Sequence, residues 1–295
     1  MMDKEQHKPA VSVIVPCYNG GRFIDRLLAS LARQTFRDFE TVIINDGSTE
    51  RATLDKLASL PPEIRVVHQE NRGPAGARNS GFRFAKADLV LTLDCDDALE
   101  PTHLAETVAA MWAGGPDLGF VFTDVRMTGL REGVSRRYFK LFDLLFINRT
   151  SACLLVRKDA WRKAGGYDET MREGYEDWEF SVRLAEAGYR GYGVPKPLFV
   201  YRVSEDGLMM SRSSQLHAKL WRRIRERHKK LYQLPAVLKL WWRTRSIPGE
   251  LTLIRALNLL ALATLLPDSW FSALAHRVRM SRMARSQGGA KSAMS

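Results

Sequence analysis

Three aspartates in one short segment are the residues of this chain with the most evident chemical use. Asp94, Asp96 and Asp97 lie within four positions and directly follow the apolar segment 88–93. Carboxylates this close repel one another unless a cation or bound protons compensate their charge. Oxygen ligands of this kind suit Mg²⁺ or Mn²⁺, which typically also take oxygens from a substrate phosphate. The alternative is a solvated acidic turn, but the position directly after a buried strand favours a metal site.

Polar residues also follow two earlier apolar segments. Asn19 comes shortly after residues 11–15, and Asp46 comes shortly after residues 41–44. Ligands of an open parallel sheet bind outside the carboxyl ends of its strands, near the point where the strand order switches. We therefore expect Asn19, Asp46 and the three aspartates to gather at one site, provided that the apolar segments are parallel strands.

The spacing of the apolar residues predicts such a sheet. Strands are predicted at residues 11–15, 41–44, 64–67 and 88–93. Helices are predicted at 23–31, between the 45–48 turn and about residue 60, and at 75–86. Strands that alternate with helices at this spacing indicate βαβ units and a mostly parallel sheet. Later elements are less regular: helices are predicted at 100–112 and 176–187, strands at 118–123 and 151–156, and an edge strand at 198–202. Residues 128–148 are poorly periodic.

Five motifs occur along this part of the chain in a specific order. They are residues 11–19 (VSVIVPCYN), 45–48 (NDGS), 71–79 (NRGPAGARN), 93–97 (LDCDD) and 174–178 (GYEDW). Their order and spacing resemble the family 2 glycosyltransferases of the GT-A fold. The resemblance implies a Rossmann-like α/β catalytic domain, with a mostly parallel sheet flanked by helices, over residues 1–206. Its nucleotide-binding half would span about 9–125 and its acceptor half about 126–206.

The resemblance also implies a nucleotide-sugar donor, with a UDP-sugar favoured, and a role for each matching residue. Asp96 and Asp97 would hold a divalent cation, Mn²⁺ or Mg²⁺, that bridges the donor diphosphate. Asp94 would bind the ribose or order the loop, Asp46 would hydrogen-bond the base, and Asn19 would line the nucleotide pocket. The other donor-binding candidates are Pro16, Tyr18, Arg78 and Trp178.

Transfer to an acceptor hydroxyl by a single inverting displacement needs a general base. The resemblance points to Asp177, with Glu176 as the alternative, although both also suit the N-terminus of a helix because of its dipole. Two donor-side assignments stay open in the same way. Arg78 would pair with phosphate or with Asp46, or form a structural ion pair, and Trp178 would line a sugar site or pack on its helix.

The charge of the chain is distributed unevenly. Its 295 residues carry a net charge of +12, but residues 207–295 hold 17 basic and 3 acidic residues, whereas residues 1–206 have a balance of −2. A basic chain commonly binds nucleic acid or an anionic surface. Because the excess lies in one segment, we predict a separate basic helical extension at 207–295, with a disordered end.

Helical periodicity in this extension favours a membrane surface as its partner. Leu220 and Ile224 share one predicted face, and residues 251–266 are nearly apolar. Three tryptophans, Trp221, Trp241 and Trp242, would be interfacial aromatics. A sixteen-residue helix reaches about 24 Å, less than the roughly 30 Å of the hydrocarbon core. A peripheral anchor on anionic lipid is therefore expected, the alternative being a helix that packs on the catalytic domain.

The sequence as a whole predicts an inverting glycosyltransferase acting on a glycan or lipid-linked acceptor, in cell-surface polysaccharide synthesis. Three widely spaced cysteines and a polar N-terminus without a secretory segment favour the cytoplasm, at its membrane face. A sugar-phosphate nucleotidyltransferase is one alternative, but residues 16–22 match its Gly-rich phosphate loop poorly. A non-enzymatic nucleic-acid-binding protein is the other, but it leaves the aspartates unexplained; no nucleic-acid partner is expected.

Overall fold

The computed structural model describes residues 7–204 and 216–274. Within these ranges the chain forms two compact units. The first comprises residues 7–172 and 176–203, and the second comprises residues 173–175, 204 and 216–274. The end of the chain, which is predicted to be disordered, lies outside the described residues.

The first unit is built on one mixed β-sheet. Its strands are β1 Val11–Cys17, β2 Phe39–Asp46, β3 Ile64–Gln69, β4 Leu89–Thr92, β5 Ala98–Leu99, β6 Leu118–Gly129, β7 Gly133–Ser135, β8 Leu155–Arg157 and β9 Arg190–Val203. Their order is β3-β2-β1-β4-β8-β6-β9-β5, with β7 paired to β6. Among the described strands, β1, β2, β3, β4, β6 and β9 run in one direction, and the other three run against them. The predicted α/β fold with a mostly parallel sheet is confirmed.

Helices cover both faces of this sheet. They are α1 Ile24–Ala32, α2 Arg51–Ala58, α3 Gly73–Phe84, α4 His103–Ala113, α5 Leu141–Leu144, α6 Lys158–Ala164 and α7 Glu176–Glu186. Successive strand residues point to opposite faces. Val13 therefore packs in the core with Leu27 of α1 and Val108 of α4, whereas Ile14 packs in a second core with Phe82 of α3 and Phe180 of α7.

Two expectations for the second half of the sheet were wrong. The segment 198–202 is part of the long strand β9, and it is not an edge, because Val200 pairs with Arg126 of β6 on one side and Ala98 of β5 on the other. Helix α6 was not predicted. The predicted strand 151–156 is reduced to β8, because Ser151 instead accepts a hydrogen bond from the Cys153 N–H in a turn.

The second unit is helical. It contains α8 His217–Arg227, α9 Leu234–Thr244 and α10 Leu253–Leu265. Trp221 stacks with Phe271 at a ring-centroid distance of 5.8 Å and is fully buried. The expectation that Trp221 is an interfacial aromatic was therefore wrong, because the indole completes the core of this unit. None of the helices among the described residues combines the length and apolarity needed to cross a membrane.

Candidate active site

The three aspartates lie on the loop between β4 and β5. Because β4 pairs in parallel with β1, this loop is at the carboxyl ends of the central strands. The loop is also close to the residues that follow β1: a Cβ atom on Gly20 would lie only 2.4 Å from the Cys95 Sγ, so a larger residue at position 20 would displace this thiol. The chain segments that follow β1 and β4 therefore meet at this edge of the sheet.

The aspartates of this loop differ in their exposure. Asp94 and Asp96 are partly exposed, whereas Asp97 is buried and accepts a hydrogen bond from the Arg202 N–H at 2.8 Å. This buried hydrogen bond joins the acidic loop to β9. Of the two aspartates predicted to be cation ligands, Asp96 is the more accessible to a ligand.

The electrostatics of this loop fit a bound cation. Burial and then the charge of Asp94 raise the pKa of Asp96, and burial followed by Asp96 and Asp94 raises the pKa of Asp97 well above its usual range. Both shifts mean that the negative charge is incompletely compensated. Among the described residues, no group of three His, Cys, Asp or Glu side chains is arranged to hold a metal ion by itself. A cation here would complete its coordination with oxygens of a ligand or water, as Mg²⁺ commonly does.

Arg78 of α3 connects the acidic loop to the start of α7. Its guanidinium donates to the Asp94 Oδ1 at 2.8 Å through Nη2 and to the Glu176 Oε1 at 2.6 Å through Nη1. Burial alone would lower the pKa of Arg78, but the charges of Asp94 and Glu176 outweigh it and raise that pKa. Arg78 thus forms a structural ion pair, which was one of the expected alternatives. Its partners are Asp94 and Glu176, and not Asp46.

The acidic pair at the start of α7 is split by its surroundings. Glu176 is buried and held by Arg78, whereas Asp177 is partly exposed. Asp177 accepts the Trp178 N–H on Oδ1 at 2.8 Å and the Asn148 Nδ2 on Oδ2 at 3.3 Å. Burial raises the pKa of Asp177, and Arg78 offsets this only in part. A carboxylate with a raised pKa and partial exposure suits a general base better than one engaged in a buried ion pair.

The backbone that leads into α7 is unusual. Tyr175 has a φ of 64°, in the left-handed region that a non-glycine residue seldom adopts, and Gly174 before it has a φ of 115°. Such conformations tend to cluster at functional sites. They turn the chain directly before Glu176 and Asp177, so that both carboxylates come from the first turn of the helix.

The predicted donor-binding residues around β1 and β2 have two kinds of environment. Tyr18 is exposed and Pro16 is partly exposed, so both are accessible to a ligand. Asn19 instead accepts the N–H groups of Thr49 and Glu50 on Oδ1, at 2.8 and 3.0 Å. Asn19 therefore positions the loop that leads into α2.

Asp46 is buried at the N-terminus of α3. Its Oδ1 accepts from the Gln69 Nε2 at 2.6 Å and the Arg72 N–H at 2.9 Å, and its Oδ2 accepts from the Gly73 N–H at 2.9 Å. These bonds satisfy N–H groups that an α-helix start leaves without an intrahelical partner. Asp46 thus holds α3 in place, and contact with a base stays a prediction.

The Trp178 side chain packs into the protein interior. It is buried, and its indole N–H donates to the Leu144 carbonyl at 2.6 Å. This favours the alternative that Trp178 packs on its helix.

Asn148 contacts Asp177 but was not predicted as a site residue, because it lies in the poorly periodic segment and matches no motif.

Comparison with known proteins assigns this chain to a family. A sequence model of "Glycosyl transferase family 2" matches residues 12–164, just over half of the chain, which includes β1, α3 and the acidic loop. The chain belongs to glycosyl transferase family 2. A second model, "Glycosyltransferase like family 2", matches residues 125–223. The predicted family is confirmed, and it favours a glycosyltransferase over both alternatives from the sequence.

Several curated relatives of this family 2 member carry the name glycosyltransferase or synthase. An uncharacterized glycosyltransferase of Haemophilus influenzae is 29% identical over 64% of this chain and 66% of its own length. The chondroitin synthase of Pasteurella multocida is 27% identical over 63% of this chain but only 20% of its own length. The chain thus spans about two thirds of the first relative and about one fifth of the second.

Solved structures confirm the GT-A fold. A structure of Staphylococcus aureus TarS in complex with UDP-GlcNAc aligns with a TM-score of 0.64 at 20% identity, over 92% of each chain. The mannosyltransferase PcManGT of Pyrobaculum calidifontis, in complex with GDP-Man and Mn²⁺, aligns with a TM-score of 0.56 at 20% identity, over 93% of this chain and 87% of that one.

Proposed function

We propose that this family 2 member is an inverting glycosyltransferase that moves a sugar from a nucleoside-diphosphate donor to a hydroxyl of a glycan or lipid-linked acceptor. The observation that carries the proposal is the bridge through Arg78. This bridge holds Asp94 of the donor-side loop and the start of α7, which bears Asp177, in one hydrogen-bonded assembly. The relatives named chondroitin synthase and hyaluronan synthase support a role in polysaccharide synthesis, and the TarS complex supports a UDP-sugar donor.

In the proposed reaction Asp177 is the general base. The acceptor hydroxyl oxygen attacks the anomeric carbon while the Asp177 Oδ2 takes its proton, and the bond from that carbon to the diphosphate breaks with inversion. Asp96, supported by the buried Asp97, would hold Mn²⁺ or Mg²⁺. When bound, the cation would neutralise the charge that develops on the leaving diphosphate.

Two matched variants test this assignment. Asp177→Asn is expected to lose sugar transfer while it still binds UDP in Mn²⁺. Glu176→Gln leaves the Asp177 base unchanged and should retain measurable turnover. The measurement is UDP or GDP release from UDP-glucose, UDP-GlcNAc and GDP-mannose with oligosaccharide acceptors, alongside UDP binding by thermal shift. Normal turnover by the Asp177 variant would overturn the assignment.

We also propose that the enzyme works at the cytoplasmic face of the membrane, to which the second unit would bind. Residues 216–274 contain 11 basic and 3 acidic residues. On α9, Leu234, Leu238 and Trp242 recur every four positions and are all exposed, and Arg245 covers the Trp242 ring at 3.3 Å. An exposed apolar stripe beside basic side chains suits the interface of an anionic bilayer.

The chain contains a matched control for this second proposal. Trp242 is 59% exposed on α9, and Trp112 is 63% exposed on α4 of the first unit. Trp242→Ala should weaken sedimentation with phosphatidylglycerol vesicles, and raised salt should weaken it further, because screening reduces the attraction. Trp112→Ala should sediment like the unaltered chain. Equal sedimentation of both variants would exclude the α9 stripe as the contact.

A further inference from the structure

Asn148 contacts the carboxylate assigned above as the general base, and its amide has a defined orientation. The Asn148 Oδ1 accepts two hydrogen bonds from Thr150, from the backbone N–H at 3.1 Å and from Oγ1 at 2.8 Å. An amide oxygen that faces two donors turns the amide nitrogen to the opposite side. Nδ2 therefore points to Asp177, whose Oδ2 lies 3.3 Å away.

The residues behind Asn148 are buried. Thr150 and Ser181 are fully buried, and their hydroxyl oxygens lie 3.0 Å apart. The Ser181 hydroxyl also donates to the Asp177 carbonyl at 3.0 Å. Asn148 thus contacts α7 directly at the Asp177 side chain, and Thr150, which holds the Asn148 amide, lies against Ser181 of the same helix.

We propose that Asn148 is a positioning residue for the transfer reaction, which orients the Asp177 Oδ2 toward the acceptor hydroxyl. This inference rests on the proposed function, in which Asp177 is the base. The Asp177 Oδ1 already accepts the Trp178 N–H, so Asn148 fixes the second oxygen and with it the plane of the carboxylate. A fixed plane favours proton transfer because misplaced reacting groups reduce the rate strongly.

The same bond affects the protonation of Asp177. A hydrogen bond donated to a carboxylate favours its charged form, so loss of Asn148 should raise the pKa of Asp177. The charged and titratable groups that act on Asp177 from the surrounding elements are Arg78, Arg137, Asp94, Glu176, Tyr167 and Tyr201. All of these remain in an Asn148 variant, so a shift would report on the amide.

The test compares Asn148→Ala with Thr150→Val. In ¹³C-aspartate NMR of the full chain, the Asp177 carboxyl resonance is assigned by its loss in Asp177→Asn. The titration midpoint of this resonance should rise by about half to one pH unit in Asn148→Ala. The rise should be smaller in Thr150→Val, which loses only the hydroxyl that orients the Asn148 amide. The double variant should match Asn148→Ala, because Thr150 acts through Asn148.

Turnover supplies the second readout. The acid limb of kcat/KM should move up by the same amount, and kcat should fall about 10-fold at pH 7 with little change in KM. Suppose that Asp177→Asn is inactive, but that the Asp177 titration midpoint and the pH profile are unchanged in both Asn148→Ala and Thr150→Val. This result would overturn the inference about Asn148 and leave the proposed function standing. Full activity of Asp177→Asn would overturn the proposed function and the inference with it. If Asn148→Ala fails to fold, Thr150→Val decides between these outcomes.

Discussion

Replacing Arg78 by methionine tests the buried ion pairs that join the acidic loop to the start of α7. The side chains of Arg78 and Glu176 are only 3% and 10% exposed, whereas that of Asp94 is 33% exposed. Methionine fills much of the volume of arginine but leaves Glu176 as a buried carboxylate without its cation. Removing one partner of a buried ion pair costs about 3–5 kcal/mol. We therefore expect the free energy of unfolding of the first unit to fall by about that amount.

Two further variants separate charge from volume. Arg78→Lys keeps a cation but loses the two-pronged geometry that reaches both carboxylates, so its loss should be intermediate. Arg78→Met combined with Glu176→Gln removes both charges, and the loss should be smaller than for Arg78→Met alone, because the buried group is then neutral. The assay is urea unfolding followed by circular dichroism.

Arg190→Met is the matched control on the protein surface. Arg190 pairs with Asp117 at 2.7 Å, but the two side chains are 44% and 61% exposed. Surface ion pairs contribute about 0–1 kcal/mol. If Arg78→Met destabilises the protein no more than Arg190→Met does, the reasoning that the Arg78 bridge holds the site together is refuted.

Three other results are expected. Activity should be lost as the pH falls through the raised pKa of Asp177, so the acid limb of a kcat profile should lie above the ordinary aspartate range; a limb near pH 4 would contradict this. Burial lowers the pKa of His103 to about 3, so the unfolded state alone takes up a proton below about pH 6.5, and stability should fall by about 2 kcal/mol between pH 6.5 and 5. His103→Gln should flatten that loss in acid unfolding curves, and an unchanged slope would exclude His103 as its source. Asp96→Ala should make UDP binding insensitive to Mn²⁺ in thermal-shift titrations, whereas retained Mn²⁺ dependence would remove Asp96 as a ligand.

The elements that could be predicted are those with local signals. Short apolar segments that end in polar turns predict β1, β2 and β3. Helical spacing of apolar residues predicts α1 and α4. Strand β9 was misassigned because its position between two strands depends on partners far along the chain. Asn148 could not be found because it lies in a segment without periodicity.

The sequence by itself determined the family, the fold class and the types of side chain at the ends of the strands, since motifs and periodicity are local properties. Only the tertiary structure decided what each of these side chains does. Arg78 meets Glu176 from 98 positions away, and Asp97 meets the Arg202 N–H from 105 positions away. Such contacts are set by how β4, α3, α7 and β9 pack, and packing also leaves Asp177 accessible while it buries Glu176. That difference in burial, between two adjacent carboxylates that the sequence cannot distinguish by chemistry, favours Asp177 as the base.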